Sequence, residues 1–220
     1  MKRIIALILA TASTASFVHG AAVVNVSAQT YNGLSLANGN ALPISDLIRV
    51  GFFNLSDSAI QANQGNLAFL NSNFIQFGVA ASGDSFGIAG YFADSLTNST
   101  TTLGIAGGQI YLWALNSTTL ASATQQGIFY LTGNSEWTFK LDTANPNTAN
   151  PDLSDLTNAS NTLLPTAHLV VGTFPGGTTG TIAGARNFNL APVVAPEPTT
   201  AALMMVGLVS LAARRRRQAK

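Results

Sequence analysis

Through the middle of the chain, short apolar runs are separated by clusters of Gly, Asn, Ser and Thr. They lie at residues 22–28, 47–53, 109–115, 127–131, 137–141, 169–174 and 186–190. Brief apolar segments bounded by turn-forming residues are the mark of β-strands. Two of these runs predict different surroundings. Ile110, Tyr111, Leu112, Trp113, Ala114 and Leu115 are apolar at every position, so both faces of that strand should be covered. Trp137, Phe139 and Leu141 alternate with Thr138 and Lys140, which predicts a strand with one wet face. A further stretch has another period. Ile60, Leu67, Leu70, Phe74 and Phe77 recur at spacings of three, four and seven, which predicts a helix over about 18 residues with Ser56 or Asp57 at its start. Asn63, Gly65, Asn66, Asn71 and Asn73 are poor helix formers and keep a purely β reading of 67–79 open. The pattern predicts a mainly β single domain, a β-sandwich or jelly-roll-like fold, carrying one helix.

Both ends of the chain follow other rules. Lys2 and Arg3 precede an apolar run at 4–10 that continues through small residues to Val18. A charged start before an apolar segment too short to span a bilayer reads as an export leader. Val18 and Gly20 supply a small-residue signal-peptidase site before Ala21, which sets 1–20 apart as a signal peptide. At the other end, Pro196, Glu197 and Pro198 introduce an apolar stretch at 201–213, followed by Arg214, Arg215, Arg216 and Arg217. As a helix, 199–213 covers about 22 Å against a hydrocarbon core of roughly 30 Å. Local thinning of the bilayer and long arginine side chains reaching back to the interface make up the difference. Pro198 suits the first turn of such a transmembrane helix, where no N–H is needed. The arginines place the tail in the cytoplasm and the preceding domain outside. The expected organisation is a signal peptide at 1–20, an exported β-rich domain at 21–194 and a C-terminal segment at 195–220.

In that segment the tripeptide Pro196, Glu197, Pro198, the apolar helix containing Gly207 and Leu208, and the cluster Arg214 to Arg217 stand in one order before a short polar end. Together they resemble the PEP-CTERM sorting signal, over residues 195–220 only. The resemblance implies a substrate of exosortase, a membrane-embedded processing enzyme of Gram-negative bacteria whose genes usually accompany exopolysaccharide production. Cleavage near Pro196 to Pro198 would release or transfer a domain held at the inner membrane, leaving it at the cell surface or outside the cell. A permanent single-span anchor would use the same residues.

Charge adds direction to this outline. Only 9% of the residues are charged, against about 25% in a typical globular protein. That excludes a coiled coil, a charge-rich disordered chain and a basic nucleic-acid binder. Seven of the ten basic residues belong to the two ends, at Lys2, Arg3, Arg214 to Arg217 and Lys220. Between them Arg49, Lys140 and Arg186 face eight acidic residues, a net charge of −5. The passenger is therefore mildly acidic. With no cysteine, disulfides, thiolate zinc sites, iron–sulfur clusters and a cysteine nucleophile are excluded.

Candidate chemistry is sparse. Gly83, Asp84, Ser85, Phe86 and Gly87 satisfy G-x-S-x-G, and the order Ser85, then Asp142, Asp152 or Asp155, then His168 is that of an α/β-hydrolase triad. The motif requires a strained elbow between a strong strand and a helix, and neither flanks it. His168 is the one histidine left after leader removal, which excludes a multi-histidine metal site, and it is expected at a strand edge or in the core. Trp113 and Trp137 would stack on sugar rings if exposed and pack in the core if not. Asp142, Asp152 and Asp155 surround a repeat, T-A-N-P-N then T-A-N-P-D, that reads as a surface loop. Their oxygens suit calcium, but the regular spacing of calcium loops is missing. Asn25, Asn54, Asn98, Asn116 and Asn158 begin Asn-x-Ser/Thr triplets, of which 98–102 is expected as an exposed loop open to modification. No phosphate-cradling loop or dinucleotide fingerprint occurs. These readings favour a non-enzymatic surface or matrix protein with no cofactor or metal and no nucleic-acid partner. Its expected partners are signal peptidase, exosortase and exopolysaccharide. A carbohydrate-binding module is the alternative, and a secreted serine hydrolase the third reading.

Overall fold

A computed structural model describes residues 20–28, 32–175 and 187–194. The leader through residue 19 with Val18, Arg186, the Gly-rich run after Pro175, and Pro196 to Pro198 with the apolar stretch and Arg214 to Arg217 lie outside the described residues. In chain order the elements are β1 (Ala22–Ala28), β2 (Leu34–Ser35), β3 (Leu47–Phe53), α1 (Asp57–Ala62), α2 (Leu67–Ser72), β4 (Phe74–Ala81) and β5 (Phe92–Asn98). They continue with α3 (Thr100–Leu103), β6 (Tyr111–Leu115), β7 (Gln125–Leu131), β8 (Thr148–Ala149), β9 (Ala167–Val171), β10 (Phe188–Asn189) and β11 (Ala191–Pro192). The mainly β expectation holds. Six strands form one sheet in the order β11-β7-β6-β3-β4, with β9 also on β7; a second sheet runs β5-β1-β8, and β2 pairs with β10.

The apolar run at 110–115 becomes β6, buried at every position between β3 and β7. Register then sorts the large sheet into two faces. Arg49 lies opposite Trp113, and Trp113 opposite Ile128, so these share one face with Phe53, Tyr111, Gln126 and Tyr130. Ile48, Val50, Leu112, Ala114 and Phe129 alternate onto the other. The first face is covered by the α1–α2 segment, where Asn71 accepts from Arg49 and the Gln64 carbonyl from Gln126. The second meets the smaller sheet so closely that a Cβ on Gly78 would stand 2.9 Å from the Leu96 side chain.

The expected single helix is two helices and a strand. Ser56 caps α1 by accepting from the Ala59 N–H at 3.3 Å, as anticipated, and Asn66 caps α2 by accepting from Phe69 at 3.0 Å. Phe74 and Phe77 belong to β4. Val50 faces Gly78 while Gly51 faces Gln76, so Phe77 is the extra residue of a β-bulge. Buried positions then fall at Phe74, Phe77 and Ala80, a spacing of three that imitates a helix. Gly51 is required beside this bulge, because a Cβ there would collide with the Ile75 carbonyl and the Phe74 ring.

The expected strand at 137–141 does not form. Ser135–Trp137 is a 3₁₀ turn, and beyond it only Thr138 bridges to Gln109. Backbone bonds still tie the segment to 107–110, with the Ile110 N–H donating to the Trp137 carbonyl at 2.8 Å and the Phe139 N–H to the Gly108 carbonyl at 2.9 Å. The Gln109 amide nitrogen adds contacts with the carbonyls of Ile110, Leu131 and Trp137. Trp137 and Phe139 are buried, but Leu141 is 56% exposed. Part of the expected surface loop also joins the fold, since Thr148–Ala149 pairs in parallel with β1. Among the described residues no helix is long and apolar enough to cross a membrane.

Candidate functional site

The residues of the hydrolase-like pattern are not brought together. Ser85 sits in the β4–β5 turn with φ +64°, and its hydroxyl donates to the Ala93 carbonyl at 2.6 Å. The three aspartates are structural anchors, with Asp152 and Asp155 sharing the capping box of the 3₁₀ turn Leu153–Leu156 and Asp142 bound to the start of α3. Asp142 accepts from the Ser99 hydroxyl at 2.6 Å, from the Thr100 N–H and hydroxyl at 2.8 Å each, and from the Thr101 N–H. Burial pushes its carboxyl up, but these hydrogen bonds outweigh burial and hold it well below the usual carboxylate range. Asp155 accepts from the Trp137 indole at 2.9 Å, and Asp152 from the Ser27 hydroxyl and the Ser154 N–H. Among the described residues no three acidic or histidine side chains converge, so the calcium-loop pattern does not assemble there.

His168 lies on β9 and finds a partner that no spacing in the sequence suggests. Its Nδ1 is 3.1 Å from Asp57 Oδ2 at the start of α1, and its ring stacks on Tyr130 at 4.3 Å between centroids. The Tyr130 hydroxyl donates to the same Asp57 oxygen at 2.8 Å. Burial, that hydrogen bond and the neighbouring Tyr111 push the Tyr130 phenol well above its ordinary range. Burial and the Asp57 charge push Tyr111 up to about 12. On the far side, Thr132 Oγ1 is 3.5 Å from His168 Nε2 but donates to the Thr166 carbonyl at 3.2 Å. The cluster ties α1 to β7 and β9, and the Thr132 hydroxyl beside it is already engaged. An acidic residue at a helix start is the one signal that pointed toward Asp57.

Trp113 and Trp137 are both completely buried, which removes them as a platform for sugar rings. The asparagine triplets are mostly engaged as well. The side-chain amides of Asn25, Asn98 and Asn116 donate to Asn150, the Phe77 carbonyl and Thr124. The expected exposed loop at 98–102 is instead α3, capped by Ser99 and with Thr100 buried. Asn25, Asn54 and Asn158 are exposed.

A polar cleft of about 380 Å³ opens on the outer side of the smaller sheet, between Asn25, Ser27, Ser85, Asp94 and Asn150. Its side chains are held in a row. Asn150 donates to Glu136 at 2.8 Å, Asn25 to Asn150 at 2.9 Å, and Ser95 to Asn25 at 2.8 Å.

The C-terminal end of the described chain lies on the edge of the large sheet. Ala191 pairs with Gln126, Pro192 with Gln125, and the Val193 N–H donates to the Thr124 carbonyl at 2.8 Å. Immediately after this hydrogen bond, residues 194–217 match the family model of the PEP-CTERM protein-sorting motif. The match is confined to the C-terminal end. The motif implies export, anchoring in the membrane before processing, and exosortase as the processing enzyme. No curated protein and no solved structure matches the chain.

Proposed function

We propose that the chain is an exported, non-enzymatic surface or matrix protein. Its β domain, read as a sandwich, is delivered by a leader at 1–20, held at the inner membrane by 195–220, and freed or transferred by exosortase into an exopolysaccharide-rich exterior. The observation that carries this reading is the sorting motif at 194–217, which begins where the folded sheet ends at Val193. The separation of Ser85 from His168, each engaged elsewhere, supports the non-enzymatic reading over a serine hydrolase. Deletion of Pro196 to Pro198 tests the proposal by fractionation and by mass during a pulse-chase. The deleted chain should stay in the membrane fraction at full length while the wild type loses its tail. A wild-type chain that keeps its tail at steady state in cells carrying the processing enzyme would leave only a permanent anchor.

One observation favours carbohydrate binding as a second reading, and it is not the tryptophans. The cleft between Asn25, Ser27, Ser85, Asp94 and Asn150 offers amide, hydroxyl and carboxylate groups, with Asn25 bonded to Asn150, Ser27 to Asp152 and Ser85 to the Ala93 carbonyl, and Phe86 on the adjoining turn is 39% exposed. Fixed polar groups beside an apolar surface suit a neutral sugar chain. Asn25→Ala with Asp94→Ala should abolish retention on the cells' own exopolysaccharide, and retention equal to the wild type would remove this reading.

A further inference from the structure

The last buried residue before the sorting motif is Leu190, 2% exposed, and Phe188 close before it is also buried. The residues after Leu190 are held lightly. Ala191 is half-buried, Pro192 and Val194 are exposed, and Pro192 has no N–H to give to the sheet. β11 is two residues long, on the edge of β7. A short segment with little buried surface belongs to the low-stability end of a fold and opens without unfolding the rest.

The position of this segment matters because of its neighbour in the chain. Only Val194 and Ala195 lie between the Val193 hydrogen bond and Pro196. Fully extended, two residues span about 7 Å. A membrane-embedded enzyme that takes its substrate as an extended strand needs backbone clear of folded structure on both sides of the recognised residues. With β11 closed, the bulk of the domain stands against that enzyme. Releasing 191–193 adds three residues and about 10 Å of reach, and the buried side chains of Phe188 and Leu190 stop the opening there.

We propose that β11 is a releasable strap. It closes on β7 in the folded domain and peels back to Leu190 to present the sorting motif to the processing enzyme. This inference rests on reading the tail as a processed sorting signal. After processing, the strap stays with the domain and closes again over the backbone of Gln125 and Gln126.

The test uses the full-length chain in cells that carry the processing enzyme. The chain has no cysteine of its own, so Pro192→Cys with Gln125→Cys creates a single pair for a cross-link. Directly opposed residues of an antiparallel pair meet the Cα separation a disulfide needs. The cross-linked chain should lose its tail at least tenfold more slowly than either single-cysteine variant, and reduction should restore the rate. A six-residue Gly-Ser insert between Val194 and Ala195 should restore processing with the cross-link intact, because it supplies the missing reach. Val193→Pro, which deletes the N–H that holds Thr124, should be processed at least as fast as the wild type. The proposal is overturned if the cross-linked chain is processed at the single-variant rate, if the insert fails to rescue it, or if the cysteines do not cross-link in the folded protein. Failure of the sorting reading looks different. There, deletion of Pro196 to Pro198 leaves the mass of the wild-type product unchanged, whatever the state of the strap.

Discussion

On the face of the six-stranded sheet that meets the smaller sheet, Ile48, Val50, Leu112, Ala114 and Phe129 bring no polar side-chain atom. On the face beneath α1 and α2, Arg49, Gln126, Tyr111, Tyr130 and His168 stand among Phe53, Phe74 and Trp113. The two faces come from the same strands, one residue out of step. The first gains its stability from volume removed from water. The second does so only while each polar atom keeps its partner, since an orphaned buried donor or acceptor forfeits its solvation. Arg49 shows how demanding this is. It is 8% exposed, lies 4.8 and 4.7 Å from the Phe74 and Trp113 ring centres, and donates to Gln76 and Asn71 at 2.8 Å each. Among the described residues it has no carboxylate partner. In a chain with so few charges, this one is spent in holding a helix pair to a sheet.

The largest expected effect lies on the apolar face. Phe129→Ala removes a fully buried ring and should cost about 3–5 kcal/mol in urea unfolding, the range for emptying an aromatic site. The sharper comparison keeps volume constant. Gln126 is fully buried; its Oε1 accepts from the Trp113 indole at 2.8 Å and its Nε2 donates to the Gln64 carbonyl. Gln126→Met strands the buried Trp113 indole and removes the bond to the Gln64 carbonyl, and should cost roughly 2–4 kcal/mol, the sum of one unmet buried donor and one lost hydrogen bond. Leu112→Met, on the other face at the same depth, should cost less than about 1.5 kcal/mol. Equal losses for the two methionine variants would mean that the faces are stabilised alike.

This division also explains what the sequence discloses. β6 is legible because both of its faces are covered, so all six residues from Ile110 to Leu115 are apolar whatever packs on them. The span from Ile60 to Phe77 is not, because a bulge at Phe77 gives a strand the spacing of a helix, and a bulge is specified by the partner strand at Val50 and Gly51. Trp137 and Phe139 predicted their own burial but not their backbone, since the 3₁₀ turn at Ser135–Trp137 takes Trp137 out of the strand and leaves Thr138 a single bridge to Gln109. The sorting signal is legible for the opposite reason: tripeptide, apolar stretch and arginines are contiguous and need no fold to bring them together. Asp57 and His168 are 111 residues apart, and only the wrapping of α1 over the sheet makes them neighbours.

Alkali should separate the two faces without mutation. Tyr111 and Tyr130 both stand on the helix-covered face, and both phenols are raised above their ordinary value of 10.0, chiefly by burial. A phenol that is harder to ionise in the folded state contributes stability fully below its unfolded value. That stability is lost as the pH climbs from 10.0 toward about 12, where Tyr111 titrates. Tyrosinate absorbance should therefore rise in two stages, with the later stage coinciding with unfolding. Phe substitution at Tyr111 should move that unfolding to higher pH, whereas Leu112→Met should leave the alkaline limb unchanged. If both variants shifted it equally, the alkaline transition would not report on the helix-covered face.

The smallest effect tests whether the apolar side tolerates any charge at its margin. Asp46 immediately precedes β3, is 6% exposed, and has a buried carboxylate oxygen, Oδ2, with no hydrogen-bond partner. Burial pushes its carboxyl above the ordinary value of 3.8. Folding therefore favours the protonated form: the associated stability is complete below 3.8 and is lost as the pH rises through the elevated folded-state value. Asp46→Asn keeps the shape and removes the charge. It should raise the melting temperature by a few degrees at neutral pH, and the gain should fade as the pH falls below the ordinary carboxylate value. A gain that persisted unchanged into acid would point to the shape of the amide rather than to the buried charge. A loss at neutral pH would mean that the carboxylate is held by a partner the packing at this margin does not reveal.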